Sequence, residues 1–141
     1  MATEIFFDGL CEPQPDGIGT YGYVIYSGGK KVRAHCGFIG RGKGMTNNIA
    51  EYSAIVEALK WAAAHGLLDG EVVAKGDSQL VIRQLQGSYK VKSETSRKFF
   101  PVIKALTQGV RLKYEWVPRE ENSEADFLGK KAHRDYIRAM S

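Results

Sequence analysis

Four acidic residues carry the chemistry that this sequence suggests, and each is predicted to stand where a strand ends or a helix begins. Asp8 and Asp77 follow short apolar runs typical of buried strands, and Glu51 and Asp126 are expected in the first turns of helices. In an open α/β sheet, the ends of strands and the starts of the following helices share one edge, where ligands usually bind. The four carboxylates are therefore expected to converge.

Each acid also has a purely structural interpretation as a helix cap or a turn residue: Asn48 with Glu51 and Ser123 with Asp126 resemble capping boxes, Asp77 or Ser78 suits an N-cap, and Asp8-Gly9 resembles a turn. Taken singly, each cap is the more common explanation. Taken together, four such coincidences at one edge are rarer than one functional site.

A cluster of four carboxylates needs positive charge, because the acids would otherwise repel each other and some would take up protons. Ligands that are all oxygen favour Mg²⁺ or Mn²⁺ over zinc. Two such ions about 4 Å apart can activate a water and stabilise the leaving oxygen of a phosphodiester. The acids thus predict metal-dependent phosphodiester hydrolysis.

The elements that would position these acids follow from the hydrophobic pattern. Three β-rich segments, near residues 5–7, 21–26 and 31–39, predict an antiparallel meander, with a loop at 11–20 and a hairpin turn at 27–30. Helices are expected near 48–65, 78–85, 93–108 and 124–140, and further strands near 72–74 and 110–117. The order β-β-β-α-β-α-α-β-α predicts an α/β fold. Its mixed five-stranded sheet has two parallel strands beside the meander and helices on both faces.

The bulk composition fits one globular domain over residues 1–141, with 43% hydrophobic and 26% charged residues. No run reaches transmembrane length, and the first residues do not resemble a signal peptide, so a cytoplasmic protein without membrane contact is expected. The two cysteines form no C-x-x-C motif and no disulfide framework. A monomer is expected.

The net charge of +4 is unevenly distributed along the chain. From Lys75 onward there are 14 Lys and Arg against 8 Asp and Glu, whereas the preceding part has 6 against 8. This bias permits a polyanionic partner without requiring one. The basic, glycine-rich segment 40–44 suits a plain linker and a phosphate contact equally well.

Four segments, in order and at matching spacing, resemble type 1 ribonuclease H over nearly the whole chain. They are Phe7-Asp8-Gly9, Thr46-Asn47-Asn48-x-x-Glu51, Gly76-Asp77-Ser78-Gln79 and Trp116-Val117-Pro118-Arg119-Glu120-Glu121-Asn122-x-x-Ala125-Asp126. Two further segments resemble the archaeal-type branch: Asp8-Gly9-Leu10-Cys11-Glu12-Pro13 and Ser88-Tyr89-Lys90-Val91-Lys92.

This resemblance implies a ribonuclease H fold and hydrolysis of the RNA strand of RNA–DNA hybrids to 5′-phosphate and 3′-hydroxyl products. It implies two Mg²⁺ ions, with Mn²⁺ as an alternative, held by the four acids Asp8, Glu51, Asp77 and Asp126. The archaeal-type segments also imply some action on double-stranded RNA.

Substrate contacts follow from the same resemblance. Amide side chains offer both a donor and an acceptor, so they can meet base edges in the wide minor groove without reading sequence. The implied contacts are Gly9, Leu10 and Cys11 at ribose hydroxyls, Thr46 at a DNA phosphate, and Asn47, Asn48 and Gln79 along the groove with Ser78 beside them. Gln79 alternatively is an ordinary exposed residue of a first helical turn.

Two departures from the family pattern concern basic residues. The loop before the last acid lacks the histidine that many members carry, and Arg119 is the candidate for its catalytic role; alternatively Arg119 is a rim residue paired with Glu120 or Glu121. The basic insertion of many bacterial members is also absent. Lys90 and Lys92 would form a smaller substitute, or are simply solvated lysines.

Three functional classes therefore compete: a metal-dependent nuclease acting on hybrids, a non-catalytic hybrid-binding module, and an enzyme of the same fold acting on other nucleic acids. Fold alone does not separate them, because function depends on the site. The complete set of four acids favours the enzyme.

Overall fold

The computed structural model describes residues 2–87 and 94–140, and its elements follow the predicted order. They are β1 (Thr3–Glu12), β2 (Ile18–Ser27), β3 (Lys30–Arg41), α1 (Asn47–Ala64), β4 (Glu71–Gly76), α2 (Gln79–Leu85), α3 (Glu94–Leu106), β5 (Arg111–Trp116), a 3₁₀ helix (Arg119–Asn122) and α4 (Ser123–Met140). The predicted α/β class and the mixed five-stranded sheet are confirmed.

The sheet has the strand order β3-β2-β1-β4-β5. The first three strands pair antiparallel, whereas β4 pairs parallel with both β1 and β5. The prediction that β1 ends at Asp8 is wrong, because its antiparallel ladder with β2 continues to Glu12. Its parallel ladder with β4 stops at Phe6, so Asp8 lies just beyond the last residue that β4 pairs.

Helices cover both faces of the sheet, as predicted. On one face, α1 packs on apolar side chains of β1 and β2, such as Ile5, Phe7 and Ile25, which are fully buried. On the other face, the Thr20 hydroxyl of β2 donates to the carbonyl oxygen of Gly129 in α4 at 2.8 Å. The helices α1 and α4 contact different residues of the strands, because successive strand residues point to opposite faces of the sheet.

A glycine in β1 sets the distance between α1 and the sheet. A Cβ atom at Gly9 would lie 2.1 Å from the backbone carbon of Ala50. The row Ala50, Ala54, Ala58 and Ala62 is fully buried, so small residues on α1 meet the sheet closely. This approach brings the start of α1 beside the middle of β1.

The cap of α1 differs from the prediction. Thr46, rather than Asn48, is the N-cap: its backbone is extended, and its hydroxyl accepts the Ile49 N–H at 3.2 Å. Glu51 consequently lies in the second helical turn, not the first. The helix ends close to the predicted residue 65: Gly66 follows with φ +69°, and the next N–H, that of Leu67, donates to the Ala62 carbonyl oxygen at 2.9 Å.

No helix within residues 2–87 and 94–140 is long and apolar enough to cross a membrane. Both cysteines are free. The Cys11 thiol is buried and contacts the carbonyl oxygens of Pro13 and Met45 at 3.4 and 3.5 Å.

Candidate metal centre

Three of the four predicted acids meet where β1, α1 and β4 come together. Asp8 comes from the middle of β1, Glu51 from α1, and Asp77 from the residue after β4. One carboxylate oxygen from each lies within 4.8 Å of the others. Asp8 and Glu51 are only 8% and 6% exposed, so this negative charge is concentrated away from solvent.

The environment of these acids disfavours their ionised forms. Burial raises the pKa of Asp8 to about 7, and the charge of Asp77 contributes in the same direction. Burial and the charge of Asp8 raise the pKa of Glu51 well above its ordinary value. Burial also raises the pKa of Asp77, against a hydrogen bond from Asn122 and the charge of Arg119, which lower it. Without a cation, the cluster therefore retains protons.

The donor set fits a divalent cation. The Glu51 Oε2 atom is buried and has no hydrogen-bond partner among the described residues. A buried polar atom without a partner costs free energy, and a hard cation would supply the missing interaction. The three residues that could hold such an ion are Asp8, Glu51 and Asp77, and their oxygen-only chemistry suits Mg²⁺ or Mn²⁺.

The fourth acid stands beside this cluster rather than inside it. Asp126 lies in the first turn of α4, on the opposite face of the sheet from α1. The proximity of its carboxyl group raises the pKa of Asp8, and its charge raises the pKa of Asp77. Its carboxylate also forms an ion pair with Lys130, with Nζ and Oδ2 3.0 Å apart.

A buried amide, Asn122, holds the site together and was not singled out from the sequence. Its Nδ2 donates to the Phe7 carbonyl oxygen at 2.9 Å and to Asp77 Oδ2 at 3.4 Å. The residue is 1% exposed. The segment before the last acid is not an open loop at this point, because it forms a 3₁₀ helix whose last residue, Asn122, is buried. The signal was present, since Asn122 belongs to the quoted motif.

Arg119 opens that 3₁₀ helix and is exposed. Its charge lowers the pKa of Asp77, so the guanidinium lies near the acid cluster. The alternative of a rim ion pair finds no support, because none of the ion pairs among the described residues joins Arg119 to Glu120 or Glu121.

The polar residues at the start of α1 and α2 border the cluster. Asn47 Oδ1 accepts the Cys11 N–H at 2.9 Å, which fixes the amide and leaves its NH₂ group pointing elsewhere. Ser78 caps α2 by accepting the Val81 N–H at 3.3 Å. Asn48 is half-buried, and Gln79 is exposed at the first position of α2.

The structure describes some of the remaining predicted substrate contacts and not others. In the β1 segment the Gly9 N–H donates to Asp8 Oδ1 at 3.0 Å, and the Cys11 N–H is used by Asn47. Leu10 is half-buried between them. Lys90 and Lys92 lie outside the described residues.

Comparison with known proteins identifies the family. Residues 6–132 match the family model described as reverse transcriptase-like. The crystal structure of RNase H1 from the halophilic archaeon Halobacterium salinarum is 34% identical, with 96% of this chain and 99% of that chain covered and a TM-score of 0.85. The chain belongs to the type 1 ribonuclease H family. The predicted family resemblance, including its archaeal-type character, is confirmed.

Other relatives extend this similarity. LC11-RNase H1, solved in complex with an RNA/DNA hybrid, is 34% identical with a TM-score of 0.87 over 96% of this chain and 99% of that one. The curated ribonuclease HI of Halobacterium salinarum is 38% identical over 92% of this chain and 63% of its own length. The uncharacterised protein YpeP of Bacillus subtilis is 34% identical over 90% of this chain, which spans only 57% of YpeP.

Proposed function

We propose that this ribonuclease H family member hydrolyses the RNA strand of RNA–DNA hybrids in a reaction that requires a divalent cation. The observation that carries the proposal is the buried cluster of Asp8, Glu51 and Asp77 with its unpartnered Glu51 oxygen. The similarity to a ribonuclease H solved with an RNA/DNA hybrid supports the choice of substrate.

In this proposal the acids act as metal ligands. Divalent ions, when bound, lower the pKa of a water and stabilise the leaving 3′-oxygen of the RNA, which gives 5′-phosphate and 3′-hydroxyl ends. Asp8, Glu51 and Asp77 give up their protons to serve as ligands, and Asn122 keeps Asp77 oriented through its Nδ2. Arg119 would bind phosphate through its guanidinium group, which offers hydrogen-bond donors and no acceptor.

The residues bordering the cluster would bind the two strands. Thr46 and Ser78 use hydroxyl lone pairs to cap α1 and α2, so each retains its O–H proton for donation to a phosphate or ribose oxygen. Asn47 retains its NH₂ group, and Asn48 and Gln79 offer whole amides to the minor groove. At Gly9 and Cys11 both N–H groups are occupied, so ribose hydroxyls would donate to carbonyl oxygens.

Several finer points belong to the same proposal. Two ions would act together, with Asp126 as the fourth ligand and Mn²⁺ able to replace Mg²⁺. Double-stranded RNA would be a second substrate. The chain would work as a single monomeric domain over residues 1–141, with Lys90 and Lys92 as a smaller substitute for the basic insertion, and cytoplasmic localisation stays a prediction.

Four labelled substrates test this function: a hybrid, double-stranded RNA, single-stranded RNA and a DNA duplex, each with Mg²⁺, with Mn²⁺ and with excess chelator. We expect cleavage of the RNA strand of the hybrid with either ion and none in chelator. Asp77→Asn should abolish cleavage while circular dichroism shows a folded protein. Hybrid binding without cleavage in any metal would instead identify a non-catalytic binding module.

A further inference from the structure

The fourth acid, Asp126, forms an ion pair with a lysine of the same helix. Lys130 lies one helical turn after Asp126, and its Nζ is 3.0 Å from Asp126 Oδ2. The other three acids meet one another directly, and burial is the largest cause of the raised pKa of each. Asp126 is thus the one acid of the four whose described ion pair joins it to a lysine.

The position of this ion pair places it at the edge of the metal centre. The charge of Asp126 raises the pKa of both Asp8 and Asp77, so its carboxylate lies near these two acids. A cation that used Asp126 together with Asp8 or Asp77 would approach the carboxylate that Lys130 contacts. Two positive charges cannot share one carboxylate without repelling each other.

We propose that Lys130 competes with a divalent cation for Asp126, so that binding of an ion there requires the Lys130–Asp126 ion pair to open. The inference rests on the proposed function, because it assumes that the cluster takes up metal. Lys130 is in this sense a positioning residue: it acts on the affinity of the ion through Asp126 and need not touch the substrate.

Opening the Lys130–Asp126 ion pair costs little free energy. The Lys130 side chain is 55% exposed, so its ammonium group moves into water without desolvation when it leaves Asp126. An exposed ion pair one turn apart on a helix contributes little to folding, whereas a divalent ion interacts more strongly with a carboxylate. The lysine therefore weakens uptake of the ion without preventing it.

The neighbouring lysine supplies a matched control. Lys131 forms an ion pair with Asp135 at 2.7 Å, also one turn apart on α4, with a similarly exposed side chain of 48%. Lys131→Gln removes the same charge from the same helix without releasing an acid of the metal centre. A difference between the two variants therefore reports the contact with Asp126 rather than the total charge of α4.

Binding of Mn²⁺ to the full chain without nucleic acid, followed by the electron paramagnetic resonance signal of free Mn²⁺, tests the proposal. Asp126→Asn first identifies the binding event that depends on Asp126. For that event, Lys130→Gln should tighten Mn²⁺ binding roughly three- to fivefold, the range that matches the loss of one exposed ion pair. Lys130→Arg should resemble the unmodified chain, and Lys131→Gln should change affinity by less than about half as much.

A double-mutant cycle decides the outcome. In the Asp126→Asn background, Lys130→Gln should have no further effect, because the carboxylate for which Lys130 and the ion compete is already lost. An equal effect in that background would show a general field effect of α4 and overturn the proposal. So would unchanged or weaker Mn²⁺ binding by Lys130→Gln. These results are independent of cleavage, so a chain that binds Mn²⁺ as expected but cuts no hybrid would contradict the proposed function alone.

Discussion

At the scale of single residues, the buried acids of the candidate metal centre lower the stability of the folded chain when no ion is bound. Asp8 and Glu51 have raised pKa values in the folded state, mainly through burial. The folded chain therefore binds more protons than the unfolded chain between the ordinary pKa near 4 and the folded value, which for Asp8 is about 7. Stability without metal must then fall as pH rises through this window.

Asp8→Asn should remove part of this loss of stability at high pH. We expect the variant to be more stable than the unmodified chain at pH 8 in chelator, by about 1–3 kcal/mol, and to differ little at pH 4. Thermal melts at both pH values measure this. The exposed Asp69→Asn is the control and should show no such pH dependence. If Asp8 were only a turn or capping residue, the variant would be less stable at pH 8.

Arg119 should affect turnover more than folding, since its side chain is exposed while its charge acts on Asp77. Arg119→Ala should reduce single-turnover cleavage of a hybrid roughly tenfold, which corresponds to about 1.4 kcal/mol of barrier. The melting temperature should not change. Arg111→Ala, an exposed arginine at the start of β5, provides the matched loss of charge. Unmodified kinetics in Arg119→Ala would assign Arg119 to the solvated rim.

Asn122 shows what single-sequence reasoning misses at this scale. The residue stands in a run of polar residues, which is typical of a hydrated loop, and only the packed structure reveals its bonds to Phe7 and Asp77. Acids, by contrast, were recognisable because clustered carboxylates have few other uses. Their convergence could be inferred from the strand and helix order.

At the scale of elements, the close approach of β1 and α1 brings Glu51 to Asp8. The five predicted strands and four predicted helices are all present, while their ends differ from the prediction by a few residues. Two examples are the start of α1, which is capped by Thr46 rather than Asn48, and the β1–β2 ladder, which extends five residues beyond the apolar run 5–7. Such ends depend on tertiary hydrogen bonds, which the hydrophobic pattern does not contain.

Gly9→Ala tests this contact. The added Cβ would lie 2.1 Å from the backbone of Ala50, so α1 must move away from β1. We expect a loss of about 2 kcal/mol or more in the free energy of unfolding, together with weaker Mn²⁺ binding because Glu51 moves with the helix. At Gly40 a Cβ would meet only the flexible end of Met45 at 3.3 Å, so Gly40→Ala should have little effect on either measurement. Equal effects of the two substitutions would contradict the role given to Gly9.

At the scale of the whole molecule, the charge distribution bears on how the duplex is held. The chain has a net charge of only +4 and lacks the basic insertion of many bacterial ribonucleases H. The mixed sheet and the helices on both faces could be predicted because each strand and helix has a clear hydrophobic period. How many cations face the duplex could not be predicted, since that depends on how the folded surface is arranged.

The salt dependence of hybrid binding measures how many cations of the chain contact the duplex. For the Asp77→Asn chain on a hybrid, we expect log K to fall with log salt with a slope of about −3, because only a few phosphates are neutralised. Fluorescence anisotropy at several salt concentrations gives the slope. Blunt hybrids of two different sequences should give the same value. A slope typical of about ten contacts would contradict this expectation and indicate a large basic surface.

Cleavage of a hybrid with a labelled RNA strand, followed before and after chelation, tests the metal centre most directly. The chain in excess chelator should leave the RNA intact, and added Mg²⁺ or Mn²⁺ should restore cutting to 5′-phosphate and 3′-hydroxyl ends. Glu51→Gln, which keeps the shape of the side chain but removes its charge, should not be restored by either ion. Undiminished cutting in chelator by the unmodified chain would contradict the assignment of Asp8, Glu51 and Asp77 as metal ligands.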